Sequence, residues 1–175
     1  MIHSSVIFFG KDRIKIGKNV RIDCYSVLSA GPAGIEIGDN VHISSAVQIF
    51  GFSGKVIIES FAGISPRATL LTATDDFVEG HMIGPCVPEE YRKVQKGNII
   101  VCRHAVIGCG SVVLPGVTIG QGASVGALSL IKFDVPEYAV VVGIPQRQIG
   151  TRNRQLLEEL ERKYLNDHPD IRIPV

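Results

Sequence analysis

Asp75 and Asp76 are adjacent, His81 follows close behind, and His104 lies further along the chain. Side chains of these types can move a proton on and off a reacting group. An imidazole does so near neutral pH, and a carboxylate does so once burial or a neighbouring like charge raises its pKa. Asp75 is open to both influences, with Asp76 as the like charge. An Asp-Asp pair after Thr74 equally suits a turn or an N-cap, and both readings stay open. His81 is either a mobile imidazole able to swing towards a reacting group or a solvated loop residue. The four cysteines, Cys24, Cys86, Cys102 and Cys109, form no CxxC pair. Neither a zinc knuckle nor a disulfide framework is indicated, and a reduced, cytoplasmic setting is expected.

The elements that must position these groups are written in an unusual period. From Val101 an aliphatic residue recurs every six positions, at Ile107, Val113, Ile119, Val125 and Ile131. Six fits neither a helix nor a lone strand; it fits a solenoid whose units each make a short strand and a corner. The phase extends backwards through Ile16, Ile22 and Leu28, then Ile37, Ile43 and Ile49, then Ile58, Ile64 and Leu70, giving turns of 21 residues. IGKNV at 16–20 and IGDNV at 37–41 are near copies. The rhythm stops after Leu70 and resumes at Val101, so residues 71–100 are expected to form a projecting arm. His42 and His104 fall at corners; His42 reads as structural, and packing or corner hydrogen bonding is the alternative role for His104. Val6–Phe9 is expected to cap the first turn. Residues 139–142 should be a last strand, and Asn153–Leu165 a helix with Leu157, Leu160 and Tyr164 on one face and Glu158–Arg162 and Glu159–Lys163 as ion pairs.

The bulk composition narrows the function classes. A net charge of +1 does not provide the basic surface that nucleic-acid binding uses. No apolar run is long enough for a membrane span, and MIHSSVIFFGKDR does not read as a signal peptide.

The segment IGCGSVVLPGVTIGQGASVGALSLIKFDVP…VVVGIP, with the repeats before it, resembles the hexapeptide-repeat acyltransferases over about residues 10–150. TDDF…GHMIGPCVPEEY is similar to the arm of sugar O- and N-acetyltransferases from bacterial surface-polysaccharide biosynthesis. The resemblance implies an all-β fold, a left-handed parallel β-helix of residues 1–150 with a projecting loop, followed by a short C-terminal α-helix and tail in 151–175. It implies a homotrimer, acetyl-CoA in the groove between neighbouring coils, no metal, and a sugar or nucleotide-sugar acceptor. An amino-acid acceptor is an alternative, as is a non-catalytic scaffold. A γ-type carbonic anhydrase would need histidines five apart, a spacing absent here.

The resemblance also carries roles. Many members place a histidine base where this chain has Asp75, so Asp75 either deprotonates or orients the acceptor, with His81 and His104 as the alternative bases. Gly108, Cys109, Gly126 and Ala127 match positions along the pantetheine arm, where small residues suit close approach. Lys132 and Arg147 match groups that reach the cofactor phosphates. Asp76, Glu89, Tyr91 and Arg92 are expected to contact the acceptor.

Overall fold

An aliphatic residue at every sixth position can be buried only if the chain turns a corner between one and the next. The computed structural model, which describes residues 1–169, is built this way. Three parallel sheets form the faces of a triangular coil. The first face stacks Ile14–Ile16, Ile35–Ile37, Val56–Ile58, Ile99–Val101 and Thr118–Ile119. The second stacks Arg21–Ile22, His42–Ile43, Gly63–Ile64, Val106–Ile107, Ser124–Val125 and Ala139–Val142, closed by the antiparallel strand Arg147–Thr151. The third runs from Ile7–Phe9 through Val27–Ala30, Gln48–Gly51, Thr69–Leu71 and Val112–Val113 to Leu130–Ile131.

Register follows the sequence phase. Ile16 pairs with Ile37 and Ile37 with Ile58, steps of 21. Ile58 pairs with Val101, a step of 43, and Val101 with Ile119, a step of 18. The six-residue positions from Ile22 to Ile131 are all buried. Each fully buried aliphatic side chain contributes about 1.5–3 kcal/mol of transfer free energy. Ile16 is 36% exposed because its strand ends its sheet, with no turn beneath.

Corners need left-handed backbone. Between the first and second faces, Asn19, Asn40, Phe61, His104 and Tyr138 all have φ between 51° and 64°. Asparagine tolerates this region well, and the Asn19 amide donates to Asn40 Oδ1 at 2.7 Å.

The arm leaves between the third and first faces. Its stem is an antiparallel pair, Ala73–Asp75 with Val94–Lys96, and the Gly97 amide closes it on the Thr72 carbonyl at 3.0 Å. Leu71, Ile99 and Ile100 lie in coil strands, so the projecting part is slightly shorter than the break in the repeat.

Helix α1, Arg154–Asp167, is capped by the Asn153 side chain, which accepts from the Leu156 amide. Glu158 pairs with Arg154 at 2.7 Å instead of with Arg162. Arg154 is drawn there because its guanidinium also lies over the Tyr138 ring, and Tyr138 donates to the same carboxylate.

Candidate active site

The arm stem places Asp75 at its base. The Gly84 amide donates to Asp75 Oδ2 at 3.1 Å, while Oδ1 faces Arg92 Nη1 at 3.8 Å, beyond hydrogen-bond range. Asp75 Oδ1 and Arg92 Nε are both buried without a hydrogen-bond partner. Buried polar atoms are nearly always satisfied; His104 Nε2 is the third such atom among the described residues, and only Asp75 and Arg92 hold theirs side by side. Both line a groove of about 470 Å³ with Phe52, Glu89 and Lys96. Asp75, Glu89 and Arg92 are therefore brought together, whereas Tyr91 is exposed and does not line this groove.

Asp76 points the other way. It accepts from the amides of Val78, Glu79 and His81, and from His81 Nδ1 at 2.9 Å. The Glu79 amide, then that of Val78, hold its carboxyl far below the usual carboxylate range. Asp76 thus folds the arm tip, and His81 is tied to it.

His104 lies at a different corner, between the first and second faces. Its ring stacks on Phe61 with centroids 5.0 Å apart, and Nε2 sits 3.2 Å from Glu161 Oε2 of α1. Arg152 clamps the same corner by donating to the carbonyls of His104 and Gly122. These contacts give His104 a part in docking the helix. Burial pushes its imidazole pKa down against the opposing pull of Glu161. The neutral form is therefore favoured on folding. Its contribution is present above the unfolded-state pKa, near 6.5, and is lost as pH falls through the depressed folded value. Melting curves from pH 7.5 down to 5 should show an acid-side loss of stability that shrinks in His104→Asn, a residue suited to the same left-handed backbone.

The third corner, between the second and third faces, carries the glycine positions. Gly108 and Gly126 stack one turn apart, with Cys109 and Ala127 exposed beside them. Their small size has a packing cause that the sequence does not reveal. A Cβ on Gly108 would lie 2.5 Å from the Ala127 nitrogen, and one on Gly126 would lie 2.6 Å from Val142 Cγ1. Ser65 is the residue equivalent to Gly108 one turn earlier, since Gly63 pairs with Val106 and Ile64 with Ile107. Serine at a corner is unremarkable in sequence; only stacking puts it in line with the glycines. Lys132 and Arg147 are both exposed at the last turn, where Gln146 bonds the Lys132 amide and the Phe133 carbonyl.

Among the described residues the only cluster with metal-ligand geometry is Asp76, Glu79 and His81, which the arm's own hydrogen bonds account for. No helix among them is long and apolar enough to cross a membrane.

No protein-family model matches the chain. A dTDP-4-amino-4,6-dideoxy-D-glucose acyltransferase of Escherichia coli is 43% identical over 157 residues, covering 90% of this chain and 81% of the relative. AntD, an N-acyltransferase from Bacillus cereus solved with dTDP and 3-hydroxybutyryl-CoA, superimposes with a TM-score of 0.90 at 34% identity, covering 95% of this chain and 86% of AntD. AntD has also been solved with dTDP-4-amino-4,6-dideoxyglucose and coenzyme A. Its solved variants replace one aspartate and, ten positions earlier, one serine.

Proposed function

The chain belongs to the hexapeptide-repeat acyltransferases that use acyl-CoA, and from that premise we propose that it transfers an acetyl group from acetyl-CoA to the amino group of a dTDP-linked 4-amino-4,6-dideoxyhexose for surface-polysaccharide biosynthesis. The observation that carries this reading is the arm groove. Its orphaned Asp75 oxygen suits an amine, Arg92 and Lys96 suit a diphosphate, and the exposed Phe52 ring offers a flat apolar wall. The spacing of AntD's substituted residues supports it: a serine ten positions before an aspartate is matched here by Ser65 and Asp75.

In the reaction, the amine nitrogen attacks the thioester carbon. The C–S bond breaks, an amide forms, and coenzyme A leaves. Asp75 takes the proton released by nitrogen and passes it to the departing sulfur. Arg92 faces the same carboxylate, with Nη1 3.8 Å from Oδ1.

Asp75 stands at the arm corner and Ser65, Gly108 and Gly126 at another corner of the same chain. The two sets meet only if a neighbouring copy lends its arm, so the working unit in this reading is a homotrimer. Leu128 and Ile144, each more than 60% exposed at the glycine corner, give such a copy an apolar surface to cover. Free cysteines, including exposed Cys86 and Cys109, fit a cytoplasmic location.

Release of coenzyme A thiol from acetyl-CoA tests the assignment. dTDP-4-amino-4,6-dideoxyglucose should support turnover, and the sugar with a 4-hydroxyl in place of the amine should not. Equal rates with both, or with serine, would overturn it.

A further inference from the structure

On the second face, outward positions in successive turns are Arg21, His42, Gly63, Val106 and Ser124. Gly63 is the odd member. Its φ is not left-handed, and a Cβ built on it would meet only Val106 Cγ2, at an ordinary 3.8 Å. Neither backbone conformation nor packing requires glycine there, and a mid-strand glycine weakens a strand. What it does is leave a slot open between His42 and Val106, two residues from Ser65.

Beside that gap lies a hydrogen-bonded constellation. His42 Nε2 lies 2.8 Å from Asp23 Oδ2, and Arg21 Nε lies 2.7 Å from Asp23 Oδ1. The Asp23 side chain is 16% exposed, and hydrogen bonds from His42 and then Arg21 hold its carboxyl below the usual range. A charged carboxylate accepts, so in neutral His42 Nε2 carries the hydrogen and Nδ1 presents a lone pair. His42 itself is half exposed, and nothing among the described residues bonds Nδ1. The N-terminal segment borders the same strand: the His3 amide donates to the Ile22 carbonyl, the His3 ring is bonded to Ser5, and the Met1 ammonium donates to the Val20 carbonyl.

We propose that His42, oriented by Asp23, and the slot opened by Gly63 form the subsite for the acceptor's sugar ring, with His42 Nδ1 accepting a hydrogen bond from a ring hydroxyl. This rests on the nucleotide-sugar reading above. Gly63 lies in the same turn as Ser65, on the face beside the corner that carries Gly108 and Gly126, and His42 lies one turn earlier. An acyl-CoA lying along those glycines would present its thioester near Ser65, and the next turn, about 5 Å away, is where a sugar amine must sit to reach it. His42 is then a binding residue, Asp23 a positioning residue, and Gly63 the residue that makes room.

The test is thiol-release kinetics with saturating acetyl-CoA and varied dTDP-4-amino-4,6-dideoxyglucose, for wild type, His42→Ala, His42→Gln and Gly63→Leu. Loss of one hydrogen bond should raise the acceptor KM of His42→Ala about tenfold, with kcat and the acetyl-CoA KM little changed. His42→Gln, which keeps an acceptor atom, should recover part of the loss. Gly63→Leu should abolish acceptor saturation while melting like wild type, and calorimetry should find its affinity for dTDP alone unchanged. An unchanged acceptor KM in active His42→Ala and Gly63→Leu would overturn the subsite and leave the proposed function standing. A wild type that releases no thiol with any nucleotide-linked amino sugar would overturn the proposed function and the subsite together.

Discussion

Asp75→Asn is expected to lower kcat by about 100- to 10,000-fold, the span that a positioned general base supplies. Asparagine is nearly isosteric, and its carbonyl oxygen can still accept from the Gly84 amide, so the arm base keeps its shape. What disappears is the charge facing Arg92 and the basicity of the orphaned Oδ1. Binding of acetyl-CoA, which the proposed reading sets along the glycine corner, should be unaltered by calorimetry. Steady-state kinetics of the purified variant decide the matter: activity within a few-fold of wild type would remove Asp75 from proton transfer and leave it an arm-closing residue.

Ile107→Ala is expected to cost about 2–5 kcal/mol of unfolding free energy, the range for a buried Ile truncated to Ala. Ile107 is fully buried and sits between Ile64 below and Val125 above. A coil turn contacts only its neighbours, so this position joins the arm-bearing turn to the turns beyond it. The cavity cannot be refilled easily, because the interior is lined by short branched side chains set by strand register. Urea unfolding at fixed protein concentration measures the loss; the concentration must be held constant because any oligomer links stability to it. A midpoint equal to wild type would mean the interior collapses around the gap.

The coil was readable because its signal is local and repeated. Each interior residue announces itself by a six-residue step, and pairing between turns follows from phase alone. The arm showed as a break in that phase. The roles of single side chains were harder to read, for a physical reason: they are decided by contacts across turns or between the coil and α1. His104 looks like a candidate base in sequence; only Phe61, 43 positions earlier, and Glu161, on the helix, reveal its docking role. The smallness of Gly108 fits a cofactor groove, yet the backbone of the next turn already demands it. Glu158 had two basic neighbours at helical spacing, and the choice of Arg154 was made by Tyr138 of the coil. Ser65 and Gly63 carry no sequence signal at all until stacking sets one beside the glycines and the other beside His42.

The step of 43 between Ile58 and Val101 has an evolutionary meaning. The pairing on either side of the arm is as regular as where nothing is inserted, and the Thr72–Gly97 hydrogen bond gathers the arm's ends at a single point on the coil. Closing a loop of a different length at such a point changes the entropy only slowly. The arm is therefore a cassette: a lineage can lengthen, shorten or exchange it while the stack beneath inherits its register untouched.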